Sequence, residues 1–218
     1  PVNEVGAMLH PLLNYVLRLH NQYGLTKYDI ITEKGEKWMD EVAVETFNMT
    51  GQFEDVNVMG LEPYENLTNC TAAAYASYLL NKESMNEKDL NNAIDLIRLS
   101  EDQFTFWNTT PNEYGLRMMA TPCVFEQYKY QKPVDHSAHN VAMAFLDLYE
   151  KTGDKLAFAK AKALVDNMTI VQNKGNGQMP TTWDFRTPYH DSNRSFWTNC
   201  TFAAVTALLR MDKITSEE

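Results

Sequence analysis

Residues 194–211, RSFWTNCTFAAVTALLRM, decide how the rest of the chain is read, because the middle of this stretch occurs twice. Thr198, Asn199, Cys200 and Thr201 followed by FAAV match Thr68, Asn69, Cys70 and Thr71 followed by AAAY, 130 residues earlier. A weaker relative, His139-Asn140-Val141-Ala142-Met143-Ala144-Phe145, lies between them, so the three Asn residues are 71 and 59 residues apart. Recurrence on that scale is the mark of a repeat architecture. In all three copies small and apolar residues cover nearly every side, the pattern of a helix buried all round.

Upstream of each copy lies a helix of different character. Leu9, Leu12, Leu13, Val16 and Leu17 form a one-sided stripe that leaves Asn14, Arg18 and Asn21 outside, with Gly24 as its C-cap. Ser84 with Glu87 reads as a capping box, ahead of a stripe of Leu90, Ala93, Ile94, Ile97 and Phe104. Gly153 and Asp154 open a third such helix, carrying Ala157, Ala161, Leu164, Met168 and Val171, and Gly175 and Gly177 open the loop beyond it. Long loops join each amphipathic helix to its apolar one. In the first, residues 36–47 read as a short helix with Trp38 packed inward and Asp40 and Glu41 solvated.

Three such units describe outer helices with one wet face and inner helices lined by Ala, so that backbones approach closely. The fold class expected is all-α, an α/α toroid of three helical hairpins forming one domain over residues 1–218. A four-helix bundle would need amphipathic helices throughout and short loops, and a solenoid of helix pairs would need tighter turns.

Composition excludes several functions. A formal charge of -10 and pI near 5.0, with no Lys/Arg cluster, oppose nucleic-acid binding. No apolar run approaches the roughly 20 residues of a membrane span. Neither a Gly-rich dinucleotide or phosphate motif nor a Gly-X-Ser-X-Gly elbow is present, so no cofactor is expected and a triad of His190 and Asp191 with Ser192 or Ser195 is weakly founded. Cys70, Cys123 and Cys200 match no zinc spacing and no even disulfide set, and read as buried packing. Of the seven Asn-X-Ser/Thr sequons, Asn69 and Asn199 open helices expected to be buried, which favours a bacterial origin, periplasmic or cytoplasmic.

Candidate chemistry sits in the loops. An aromatic residue followed by an acid recurs as Phe53-Glu54, Phe125-Glu126 and Trp183-Asp184, with the aromatic 16, 15 and 16 residues before the repeat Asn. Loops entering the inner helices of a toroid share one rim, so Glu54, Glu126 and Asp184 would face one funnel. Paired carboxylates so placed hydrolyse glycosides, one protonating the leaving oxygen and the other activating water or attacking carbon. A competing reading makes each pair a packing device whose carboxylate caps the next helix. Glu126 and Asp184 are the stronger candidates, with Tyr128, Trp183, Arg186 and His190 near them in sequence as substrate-binding residues. Trp38 and the Asp135, His136 and His139 group complete that set, although capping by Asp135 competes. Two histidines without a third ligand make no metal site, and none is expected.

The outer-loop-inner order, residues 121–172 (TPCVFEQYKYQKPVDHSAHNVAMAFLDLYEKTGDKLAFAKAKALVDNMTIVQ) and GQMPTTWDF at 177–185 resemble the six-hairpin glycosidase superfamily. The likeness is to the C-terminal half of uncharacterised bacterial glycoside hydrolase-like proteins, including relatives of unsaturated uronyl hydrolases. It implies an (α/α)6 barrel and an oligosaccharide or polysaccharide substrate. A complete barrel of that type has twelve long helices and this chain shows six. The expectation is therefore either the C-terminal half of a longer barrel or a chain completed by a second copy. Two other functions stay open: a polysaccharide lyase using Tyr128 or His136, and a non-catalytic glycan-binding or scaffolding module.

Overall fold

The computed structural model describes residues 2–45, 70–108, 122–126, 133, 135–181 and 198–217. The protein is all-α. Among these residues seven α-helices run in the order α1 (Val2–Tyr23), α2 (Asp29–Trp38), α3 (Cys70–Leu80), α4 (Glu87–Phe104), α5 (Asp135–Thr152), α6 (Lys155–Val171) and α7 (Thr198–Glu217). Two two-residue strands, β1 (Thr105–Phe106) and β2 (Cys123–Val124), pair antiparallel. The chain divides into two compact units, residues 1–99 with 127–129 and residues 100–126 with 130–218.

In the first unit α1 packs on both α2 and α3. Leu13 and Val16 of the expected stripe are buried, but Leu12 is exposed, so the buried face of α1 is narrower than its apolar pattern. Gly24 ends the helix with φ +63°, and its N–H donates to the His20 carbonyl at 2.8 Å while the Leu25 N–H reaches Leu19 at 3.2 Å. Only a residue without Cβ adopts that conformation without strain. The next helix starts at Asp29 rather than near residue 36, after a 3-10 turn at Thr26–Tyr28, and passes into a π-helical turn, Met39–Val44. Gly35, which looks like a helix breaker, is buried inside α2. There the lost propensity, about 1 kcal/mol, is outweighed by tertiary packing.

The third helix is buried as expected: Ala72 to Ala76, Tyr78, Leu79 and Leu80 are all inside. The helix after it begins differently from the expected Ser84–Glu87 box. Asn86 is its N-cap: the Asp89 N–H donates to Asn86 Oδ1 at 3.0 Å, and the Asn86 N–H donates to Asp89 Oδ2 at 3.1 Å. An Asn-x-x-Asp pair thus satisfies the two orphan donors that a Ser-x-x-Glu pair would.

In the second unit α5 packs against α6 and α7. Asp154 caps α6, accepting from the Leu156 N–H at 2.8 Å. Every residue of the stripe expected there is buried, together with the sequon residue Asn167. One expectation fails on α7, which is not buried all round: Ala203, Ala204, Ala207, Met211 and Ile214 face inward, whereas Phe202, Val205 and Leu209 are exposed. An apolar surface is buried only where a neighbour covers it, and composition does not report the neighbour.

Candidate functional site

Of the three acids singled out in the sequence, Glu126 lies within the described residues; Glu54 and Asp184 lie outside them, as do Tyr128, Trp183, Arg186 and His190. Glu126 lies two residues beyond the end of β2. Pairing of Thr105 with Val124 and Phe106 with Cys123 fixes the register, and the Phe125 N–H extends it by donating to the Phe104 carbonyl at 2.8 Å. Phe125 also bridges to Pro133, two residues before α5 opens at Asp135. Glu126 is therefore held at the end of α5 that carries Asp135 and His136 in its first turn.

Aromatic side chains cluster around the strand pair and farther along α5. Phe106 and Phe125 lie 4.6 Å apart, and Trp107 is 6.1 Å from Phe145 of α5. The Lys160 ammonium of α6 sits 5.7 Å from the Trp107 ring and 5.4 Å from Phe145, and pairs with Glu101 at 2.5 Å. A half-buried cation between ring faces is favoured both by their quadrupoles and by its carboxylate partner. Glu126 itself is half-buried, next in sequence to the buried Phe125. A half-buried carboxyl group there is open to a ligand from solvent.

A second constellation, in the first unit, was not singled out in the sequence. Glu36 and Asp40 are one turn apart, and Tyr75 and Tyr78 of α3 stack 5.7 Å apart with rings 12° from parallel. The Tyr78 hydroxyl donates to Glu36 at 2.5 Å and the Tyr75 hydroxyl to Asp40 at 3.1 Å. Lys82 then bonds Glu36 at 3.1 Å and Asp89 at 3.2 Å, while Lys88 reaches Asp40 at 3.2 Å.

Burial, and then the facing carboxylates, push both phenols above the ordinary tyrosine range, so each stays a donor at all ordinary pH. Burial lowers the affinity of Lys82 for its proton, but hydrogen bonding and charge from Glu36 and Asp89 outweigh it and raise the amine above the usual lysine value. Asp40 is therefore a bonded acid rather than the solvated one expected, whereas Glu41 is exposed and pairs loosely with Lys37 at 3.8 Å. Trp38, at the end of α2, is half-buried. The sequence signal for this network was the two phenols at positions i and i+3 in an otherwise Ala-rich buried helix, where each buried hydroxyl needs a partner.

Beside the network is a cleft of about 440 Å³, lined by α1, the first turns of α2 and the end of α3. Glu36, Tyr78 and Lys82 line it, with Val16 and Leu17 on one wall and the His20–Asp29 pair, 3.0 Å apart, contributing another. Among the described residues no three His, Cys, Asp or Glu side chains gather closely enough to hold a metal ion, and no helix is long and apolar enough to cross a membrane.

No protein-family model and no curated protein matches the chain. Its fold is similar to that of a solved glycoside hydrolase of family 105 from C. acetobutylicum ATCC 824, with a TM-score of 0.58 at 15% identity. The likeness covers 94% of this chain and 56% of that one, so the chain spans just over half the length of the structure it resembles. The all-α fold class expected from the helix pattern agrees with this neighbour.

Proposed function

We propose that the chain belongs to a carbohydrate-active enzyme, a glycoside hydrolase in which Glu126 is one of two working carboxylates. The observation that carries this reading is the position of Glu126: directly after the buried Phe125, at the end of a short ladder pinned to the entrance of α5. The exposed or half-buried rings nearby, Phe106 and Trp107, offer apolar faces of the kind on which sugar rings stack.

In the proposed reaction Glu126 or Asp184 protonates the departing glycosidic oxygen, and the other either activates water or attacks the anomeric carbon. Asp135 and His136, in the first turn of α5, bind substrate hydroxyls, with Tyr128, Trp183, Arg186, His190 and Trp38 as further binding residues and Glu54 as a third acid. The fold of the family 105 neighbour supports the substrate class, an oligosaccharide or polysaccharide. The half of that neighbour's length without a counterpart here would come from a longer chain or from a second copy.

The test is turnover on a panel of oligosaccharides, including ones ending in an unsaturated uronyl residue. E126Q is expected to lower kcat at least about 100-fold while leaving the thermal midpoint within a few degrees. Unchanged turnover in E126Q on every accepted glycan removes Glu126 from the reaction. Products that gain ultraviolet absorbance would identify a lyase, and binding without turnover would identify a glycan-binding module; either result overturns hydrolysis.

A further inference from the structure

The turn after α6 holds the chain's only Asn-Gly step, Asn176-Gly177. An asparagine followed by glycine is the pair most open to spontaneous deamidation, because no side chain shields the glycine nitrogen from the neighbouring amide carbon. Both residues are exposed, so water reaches them. Gly177 has φ +74°, a conformation that keeps the position to glycine even though an added Cβ would meet nothing closer than Gln172 Nε2 at 3.8 Å.

In the closed turn each reacting group is held by a hydrogen bond. The Gly177 N–H, whose nitrogen is the nucleophile, donates to the Asn173 carbonyl at 2.8 Å. Asn176 Oδ1 accepts from the Gln178 N–H at 3.0 Å, and Asn176 Nδ2 donates to Gln178 Oε1 at 2.8 Å. The turn itself is fastened by the Asn173 N–H donating to the Gln178 carbonyl at 2.9 Å, and by Gln172 Nε2 donating to the Gly177 carbonyl at 2.7 Å. Asn173 Oδ1 accepts from the Gly175 N–H at 2.8 Å and the Asn176 N–H at 3.3 Å. Attack by the Gly177 nitrogen on Asn176 Cγ therefore requires these bonds to open, which an exposed turn does locally without global unfolding.

We propose that Asn176 is a modification site, converted to aspartate and isoaspartate at a rate set by opening of this turn. The Gly177 nitrogen gives up its proton and bonds to Asn176 Cγ, the bond from Cγ to Nδ2 breaks, and ammonia leaves carrying that proton. Water then opens the resulting five-membered imide at either carbonyl. One opening leaves aspartate; the other leaves isoaspartate, whose backbone is one carbon longer. Both put a carboxylate where a neutral amide stood, and the longer backbone changes the spacing from Asn173 to Gln178. Directly beyond lies the buried Met179, whose N–H donates to Thr201 of α7 at 3.4 Å, so the change falls where the turn meets that helix. Glu126 takes no part, and the proposal stands apart from its role.

The experiment incubates the full chain in warm, mildly alkaline buffer, with and without guanidinium chloride, and follows the tryptic peptide of residues 175–186 by mass and retention time. In denaturant Asn176 should convert before any other asparagine, giving separable aspartate and isoaspartate forms. Without denaturant the folded chain should convert at the same residue at least about tenfold more slowly. Asn173→Ala removes the acceptor for the Gly175 and Asn176 N–H groups, and Gln172→Ala removes the donor to Gly177. Each should speed conversion of the folded chain about threefold or more and leave the rate in denaturant unchanged. Equal rates with and without denaturant, another asparagine converting first in denaturant, or folded variants no faster than the wild type would each overturn the proposal.

Discussion

Two helices of this chain are near copies in sequence and opposites in burial. Aligning CTAAAY, which opens α3, with CTFAAV of α7 pairs Ala72 with Phe202, Tyr75 with Val205 and Leu79 with Leu209. In α3 these positions are 0%, 0% and 1% exposed; in α7 they are 67%, 44% and 65% exposed. The opposite face is buried in both, by Ala73 and Ala74 in one and by their counterparts Ala203 and Ala204, with Ala207, in the other. The repeat therefore encodes a helix with two apolar faces, and what differs is whether something lies over the second. Position 80 and its counterpart 210 mark the same divergence: Leu80 is buried, whereas Arg210 reaches across to Asp147 at 2.6 Å and to Glu150 on α5.

That contrast is open to direct attack. The largest effect is expected at the paired leucines: Leu79→Ala should destabilise the protein by about 2–5 kcal/mol, and Leu209→Ala by no more than about 0.5 kcal/mol, both measured by urea unfolding. Similar losses at the two positions would mean that the second face of α7 is covered in solution, and concentration-dependent unfolding of the wild type would then identify the cover as another copy.

Next in size are the polar bridges that tie each inner helix to its neighbours. Arg210→Ala leaves the buried Asp147 carboxylate without its guanidinium and should lower stability by about 3 kcal/mol. Glu36→Gln weakens the acceptor shared by Tyr78 and Lys82, both largely buried, and should lose about 1–3 kcal/mol.

A smaller but more specific effect separates the helices by pH. Tyr75, Tyr78 and Lys82 all hold their protons more tightly folded than unfolded. Groups with raised folded values contribute stability that is complete below their ordinary values, about 10 for tyrosine and 10.4 for lysine, and that is lost as pH rises beyond them. Stability should therefore fall from about pH 10 upward, and less steeply in Tyr75→Phe/Tyr78→Phe, followed by the urea midpoint. An equal slope in the double variant would show that the phenols do not govern alkaline unfolding.

The six helices of the repeat were legible because periodicity reports which faces are apolar, and their order followed from repetition of one motif. Boundaries set by local chemistry were legible where one signal stood alone, as with Gly24 and Asp154. They were misread where two overlapped. Ser84 and Glu87 fit a capping box on paper, but Asn86 and Asp89 form the one that exists, because Asp89 is also held by Lys82. The α2 start was hidden by Gly35 and by charges that resemble a loop until Glu36 and Asp40 are seen bonded to another helix. The cleft was illegible for the same reason, since its lining comes from three segments with no common motif. At the α5 entrance, by contrast, the recurring aromatic-acid pair had singled out Phe125 and Glu126, and the structure places Phe125 in a bridge to Pro133, two residues before that helix.

The π-helical turn at Met39–Val44 makes the tolerance of the first unit to a change in chain length depend on where the change falls. A π turn holds more residues than an α turn, so it acts as a one-residue slack placed where Asp40 meets Tyr75 and Lys88. Removing a single residue from it would take up that slack and restore α geometry with the flanking positions kept on their faces. The same one-codon deletion in the regular part of α2 has no slack to draw on, and would rotate the helical positions on one side of it by about 100° relative to those on the other.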